Sequence, residues 1–336
     1  MRGITAVTAA VTVWAGGAAA QEMRTFRDWQ ASCGNDGVCV AFGRPAADAP
    51  AWVRVEMAAG AQAEPRIQFG YLDYGAGDYA RRYALAIDGA DLRTTTNIDD
   101  LPALIGPAAR AALDRMARGT SLSFRGGPEP AEVSLSGVSA ALLWIDERQA
   151  RLDTPTALIR RGDRPAESVP PPPTLPRLRA APATSQRAVE GRRVPASLPD
   201  LTDNPDCAVG DSPEWRPTAW RLGGDLVLWT LPCYRAAYNG GALLWTTRED
   251  GSGARQVALP SADGASTEFL VNGDYDPRTR EMSGFSKGRG LGDCGVAQRW
   301  LWTGARFELL EERRMDDCFG VTAEHWPRLW RAQRID

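Results

Sequence analysis

The sequence predicts an α+β unit, a sheet with two helices, followed by a mostly-β unit, a sandwich or partly closed barrel. Three observations carry that expectation. Strand-like alternation runs through both ends of the chain, helical spacing occurs in only two segments, and a Pro-rich stretch from Pro165 to Pro199 divides the two patterns. The expected organisation is a signal peptide over 1–20, an α+β domain over 22–164, a linker over 165–199 and a mostly-β domain over 200–336. At 336 residues the chain has material for two cores.

Arg2, the largely apolar run from Ile4 to Trp14, and Ala18-Ala19-Ala20 have the order of a secretory signal, cut between Ala20 and Gln21. No other segment approaches the roughly 18 apolar residues of a membrane span. The mature chain is therefore expected without a transmembrane segment, in the bacterial periplasm or outside the cell. No Cys stands beside the cut, which speaks against a lipoprotein. The formal net charge of -3 gives no reason to expect a nucleic-acid partner.

After the signal, FRDWQASC, VCVAFG, WVRVEM and RIQFGYLDY read as strands broken by Gly, Pro and Asp. A helix is predicted from Pro107 to Arg118, with Pro in its first turn, Leu113 and Met116 for packing, and Gly119 as its stop. Beyond the strands TSLSF and AEVSLS, Ser136 reads as the N-cap of a second helix whose apolar face is Val138, Ala141, Leu142 and Ile145. Asp146 and Glu147 in WIDERQ read as surface acids.

The stretch VPPPPTLPRLRAAPATSQRAVEGRRVPASLP has many prolines and no apolar periodicity, as in a partly extended linker. Beyond it LVLWTL, ALLWTT, ARQVALP, TEFLVNG, REMSGFS, QRWLWTG and RFELLEE alternate as strands, and YDPRTREM has the turn chemistry of a hairpin.

All six cysteines, Cys33, Cys39, Cys207, Cys233, Cys294 and Cys318, lie beyond the cut. An even number in an oxidising compartment indicates disulfides, and the expected pairs out of the 15 arrangements are neighbours: Cys33 with Cys39, Cys207 with Cys233, Cys294 with Cys318. Zinc would need C-x-x-C or histidines, and the chain has one His and no such motif. No metal and no cofactor is expected.

GLGDCG, residues 290–295, matches G-x-G-x-x-G, but a dinucleotide turn requires a helix directly after it, whose N-terminus holds the pyrophosphate. The next residues, VAQRWLWTGARFEL, alternate as a strand instead. KGRGLGDCG is better read as a glycine-rich loop in which Lys287, Arg289 and Asp293 form a candidate ligand-binding surface, with exposed amides offering an anion nest. The alternative is a disulfide-anchored crossover whose charges pair with Asp316 or Asp317. Asn272, Asp274 and Asp276 have the start of a calcium-loop spacing that Pro277 breaks.

No catalytic residues are assigned. The lone His325, in EHWPRLW, has no nucleophile motif to serve, and no carboxylate pair stands out. Eight tryptophans lie after residue 200: Trp215, Trp220, Trp229, Trp245, Trp300, Trp302, Trp326 and Trp330. Stacking on sugars is one use for them, and filling a β core is the favoured one.

FRDWQASC, SLSGVSAALLWIDERQARLDTPTALIRRG, KGRGLGDCG, WLWTGARFEL and HWPRLWRA together resemble the bacterial secreted proteins grouped as domain-of-unknown-function family 1176, over about residues 22–331. More loosely, the opening D-W-x-x-x-C and SLSGVSAAL resemble the invasion-associated locus B family of envelope proteins. The main resemblance implies location and architecture and carries no functional residue. The weaker one adds an envelope role. The expected protein is a non-enzymatic binding or envelope-maintenance factor whose ligand is peptidoglycan or another envelope component. The alternatives are a periplasmic hydrolase using His325 or a carboxylate pair, and a lysozyme-inhibitor-like module.

Overall fold

The computed structural model describes residues 23–46, 49–73, 75–76, 78–80, 82–127, 129–184, 193–201, 207 and 216–336. The expected signal peptide and its cut at Ala20/Gln21, and Trp215, lie outside the described residues. No helix among them is long and apolar enough to cross a membrane.

The first half is built on an eight-stranded sheet. Its order is Arg24–Phe26, Trp29–Cys33, Cys39–Gly43, Ala51–Met57, Pro65–Asp73, Leu101–Ile105 and Thr96–Ile98, with Asp78–Tyr79 beside Pro65–Asp73. Side chains alternate between its faces. One face carries Ala31, Ala41, Val53, Val55, Ile67 and Phe69 into the main core, against two helices and a four-stranded sheet. The other face carries Trp52, Arg54, Glu56, Arg66 and Gln68, and its treatment decides where the candidate site lies.

The turn in CGNDGVC forms as its composition requires. Gly37 takes φ 74°, its amide donates to the Gly34 carbonyl, and Cys33 stands opposite Cys39 with the disulfide across the pair. The first helix runs Gly106–Met116 and buries Ala109, Ala112, Leu113 and Met116.

The second helix, Val138–Arg148, corrects one expectation. Its N-cap is Gly137 at φ 102°, and Ser136 does not cap it. A side chain at 137 would collide with the Phe26 carbonyl, so close backbone approach sets the entry. The Ser136 amide instead donates to Ser134 Oγ at 3.2 Å. Asp146 is a second correction: it is fully buried, not a surface acid, and accepts the amides of Leu158 at 2.7 Å and Ile159 at 2.9 Å. Burial pushes its carboxyl above the usual range, against the pull of those amides.

In the second half, Thr218–Gly223, Leu226–Arg235, Gly240–Arg248 and Arg255–Gln256 form a sheet that Phe269–Val271 joins. Asp274–Asp276, Glu281–Lys287, Gly295–Trp302, Phe307–Met315 and Arg328–Arg331 form another. Leu228 and Leu244 of the first meet Met282, Trp300 and Trp302 of the second in one core. Both sheets are open, so the partly closed barrel is not what forms. Trp229, Trp300 and Trp326 are buried, each indole N–H donating to one oxygen at 2.7–2.9 Å. The core use of tryptophan therefore prevails at these positions.

The Pro-rich stretch, where described, is seated on the body. Arg177–Arg179 pairs in parallel with Gln333–Ile335, and Ala181 enters the core that Trp302 fills. Thr184 Oγ1 donates to the Arg221 carbonyl at 2.8 Å and accepts from the buried Arg280 guanidinium at 2.8 Å.

Candidate functional site

The glycine-rich loop is a hairpin end. Lys287 stands opposite Gly295, the Gly288 amide donates to the Cys294 carbonyl at 2.8 Å, and the Gly292 amide to the Arg289 carbonyl at 2.9 Å. The strand Gly295–Trp302 comes directly after it, so no helix N-terminus is present to hold a pyrophosphate. The Lys287 amide is committed to Asn239 Oδ1 at 3.0 Å. Three of the loop's amides are thus committed within the protein and are not offered to an anion nest.

The three charged residues of the loop are not equivalent. Asp293 is 1 % exposed and accepts from Arg289 at 2.7 and 2.5 Å and from the Gly320 amide at 2.7 Å. Burial pushes its carboxyl up, but these bonds outweigh burial and hold it below 3.8. Asp293 is thus an internal anchor with its oxygens occupied, not a surface contact. Lys287 Nζ lies 5.7 Å from the centre of the Phe285 ring. Asp316 meets Arg314 at 2.7 Å and Asp317 meets Arg44 at 3.2 Å.

The three disulfides join the neighbouring pairs, Cys33–Cys39, Cys207–Cys233 and Cys294–Cys318. Asp293, Cys294 and Cys318 bring ligand-type atoms within 4.8 Å of one another, but both sulfurs are bonded to each other. The set does not suit a metal. At the other candidate spacing, Asp276 grips Arg278 Nε and Nη2 at 3.1 and 3.0 Å, which makes 274–281 a hairpin turn.

What Asp293 and Cys294 hold is an arm, residues 316–327, that crosses the open face of the eight-stranded sheet. Phe319, Val321 and Trp326 of the arm pack on Val40, Phe42, Trp52 and Leu101 of the sheet. Trp52 Nε1 donates to the Gly320 carbonyl at 3.2 Å, and the Thr322 amide donates to the Tyr79 hydroxyl at 3.0 Å. This part of the seam is apolar and closed.

Farther along the same face the residues change to Ser32, Arg54, Glu56, Arg66 and Gln68, and the seam opens into a cavity of about 180 Å³. The arm and its flanking strands supply Arg313, Glu324, His325 and Arg328 to the opposite wall. Arg54 donates to Gln68 Oε1 at 2.8 Å and to Glu56 Oε2 at 2.5 Å. Arg313 pairs with Glu311 at 3.0 Å, and Arg328 with Asp36 at 3.2 Å. The Nε atoms of Arg54 and Arg328 are buried with no hydrogen-bond partner. Two guanidiniums are therefore incompletely satisfied in a partly desolvated place, which strengthens their field.

His325 is 4 % exposed, between Trp52 at 5.4 Å and Tyr79 at 5.6 Å, ring centre to ring centre. Burial pushes its pKa below 6.5; Glu324 and Asp99 pull it up, and Arg54 and Arg313 push it down. The ring is a neutral wall of the cavity at pH 7. Ser32 and Asp99 line the same cavity, and no hydrogen bond joins Ser32 to His325 among the described residues.

Of the three residues chosen from the sequence, none lines this cavity. Those that do, Arg54, Arg66, Asp99, Arg313, Glu324 and Arg328, were missed. WVRVEM and RIQF show a polar face by their alternation, and the same alternation describes a face left in water.

The family model for proteins of unknown function, DUF1176, matches residues 23–333, which include both walls of the cavity. The chain is also similar to Uncharacterized protein YpfG of Escherichia coli (strain K12), 32 % identical over 355 residues, covering 95 % of this chain and 94 % of that protein. No solved structure matches the chain.

Proposed function

This chain belongs to the family of proteins of unknown function DUF1176, and from that premise we propose that it is a secreted, periplasmic binding factor of the cell envelope. It acts without catalysis and takes a small charged ligand, part of peptidoglycan or another envelope component, in the cavity between sheet and arm. The leader-like first twenty residues and the absence of free cysteines among the described residues support the compartment. In this reading 22–164 and 200–336 are two domains joined by the 165–199 segment, and the ligand lies where they meet, a common place for a binding site.

One observation carries the reading. A sheet face covered by another part of the chain is ordinarily apolar, because burying charge is costly even when it is paired. Here half of that face is apolar and closed, and the other half is charged and hollow.

The test is isothermal titration of the oxidised protein with soluble peptidoglycan fragments. Saturable binding that is lost in Arg66→Gln and kept in Lys287→Ala supports the cavity. The reverse pattern moves the site to the glycine-rich loop, and no binding to either form overturns the peptidoglycan ligand. Weakening by a few hundred millimolar salt is expected, since Arg66 is exposed.

A hydrolase is the second reading, favoured by the convergence of Ser32, Asp99 and His325 on the one cavity. It requires turnover of the bound fragments that Ser32→Ala abolishes while binding persists. Fragments recovered intact after prolonged incubation remove it.

A further inference from the structure

The charges of the cavity divide into two sets. Those of the interior have partners: Arg54 with Glu56, Arg313 with Glu311, Arg328 with Asp36. Those at the mouth have no guanidinium, ammonium or carboxylate partner among the described residues. Among the described residues Arg66 and Asp99 form no ion pair, and the Glu324 carboxylate accepts the Thr322 hydroxyl at 2.6 Å and lies 4.0 Å from the His325 imidazole, with no guanidinium or ammonium on it. All three are exposed, and they come from three different elements: the strand Pro65–Asp73, the turn after Thr96–Ile98, and the arm. Glu56 stands opposite Arg66 in the sheet register, yet gives its carboxylate to Arg54.

From this we infer that the cavity takes a zwitterion, an α-amino acid or the end of a short peptide, whose carboxylate meets Arg66 and whose ammonium meets Asp99 and Glu324. The inference rests on the binding reading above and narrows its ligand. An anion alone would leave two carboxylates unanswered at the mouth. A cation alone would leave Arg66 unanswered and would lie over the incompletely bonded guanidiniums of Arg54 and Arg328.

Size agrees with charge. The cavity, about 180 Å³, is of a size for a small molecule. It holds an amino acid. Val38, Val40, Ile98 and Trp326 give the cavity an apolar wall for a small side chain. In an envelope polymer made of sugars and peptides, the peptide end carries both charges and is the part recognised.

Four probes test it by titration calorimetry on the oxidised protein: dialanine with both ends free, its N-acetyl form, its C-terminal amide, and acetate. Dialanine is expected to bind at least about ten-fold more tightly than either blocked form, because each loses one charge-assisted contact. Arg66→Gln should weaken dialanine and N-acetyl dialanine together. Glu324→Gln should weaken dialanine and the amide but leave N-acetyl dialanine unchanged, a split that a merely structural role would not produce. Equal affinity for N-acetyl dialanine overturns the zwitterion and leaves an anion site; equal affinity for the amide overturns it and leaves a cation site. If dialanine fails to bind while peptidoglycan fragments bind, the inference falls and the binding reading stands.

Discussion

The imidazole of His325, on the arm, and the indole of Trp52, on the sheet, lie 5.4 Å apart with their planes at 47°. The same indole donates to the Gly320 carbonyl. The arm is therefore held to the sheet by an aromatic contact and a hydrogen bond from one residue, beside a cavity whose wall is the other.

That contact makes the fold sensitive to acid. His325 has its pKa lowered by burial, so between its folded value and 6.5 the unfolded chain binds the extra proton. Stability is full above pH 6.5 and falls as the pH drops below it toward the folded value. Urea midpoints at pH 7.5 and 5.5 should differ more for the native chain than for His325→Gln. Equal differences would mean that this ring is not the sensor.

Gly70 tests how tightly Trp52 is seated. A Cβ at Gly70 would lie 2.2 Å from the indole ring. Gly70→Ala should cost about 1–3 kcal/mol by overpacking, and Trp52→Ala about 3–5 kcal/mol by cavity formation. The double variant should cost less than the sum, because removing the ring removes the clash. Additive losses in denaturant titrations would place the strain elsewhere.

Asp293→Ala strands the buried Gly320 amide and removes the carboxylate from Arg289, and should cost about 2–3 kcal/mol, mostly from the amide side since Arg289 is half-exposed. The carboxyl is held below 3.8, so its contribution is present above that pH and is lost as the pH falls through the folded value. Lys287→Ala, by contrast, should stay within about 0.5 kcal/mol of the native chain. Comparable losses in both variants would remove Asp293 from its anchoring role.

Replacing Cys294 and Cys318 by Ser opens a loop of sequence separation 24, at a cost of about 3–4 kcal/mol if loop-closure entropy governs. Limited proteolysis should then cut first within 316–327. Protection there unchanged from the native chain would show that packing alone retains the arm.

The strands, both helices and the CGNDGVC turn were legible because each depends on neighbours in sequence. Ser136 has capping chemistry, but the carbonyl of Phe26 decides which residue enters the helix, and that contact spans more than a hundred residues. Asp146 reads as exposed until the amides of Leu158 and Ile159 are brought to it. The glycine loop drew attention because its composition is unusual on its own. The cavity did not, because Arg54 and Arg66 come from one end of the chain and Arg313, Glu324 and Arg328 from the other. Local alternation marks a polar face and is silent on what will cover it.

Arg177–Arg179 pairs in parallel with Gln333–Ile335, and the Gln333 amide donates to the Pro176 carbonyl at 2.7 Å. A strand from the middle of the chain thus waits for three residues near its end. The two halves of this clasp are far apart in sequence, whereas the hairpins between them join near neighbours, whose contacts form faster. The clasp is a long-range contact, and a tag fused directly after Asp336 would press on it, where the Asp336 carbonyl accepts from Arg179 at 2.9 Å.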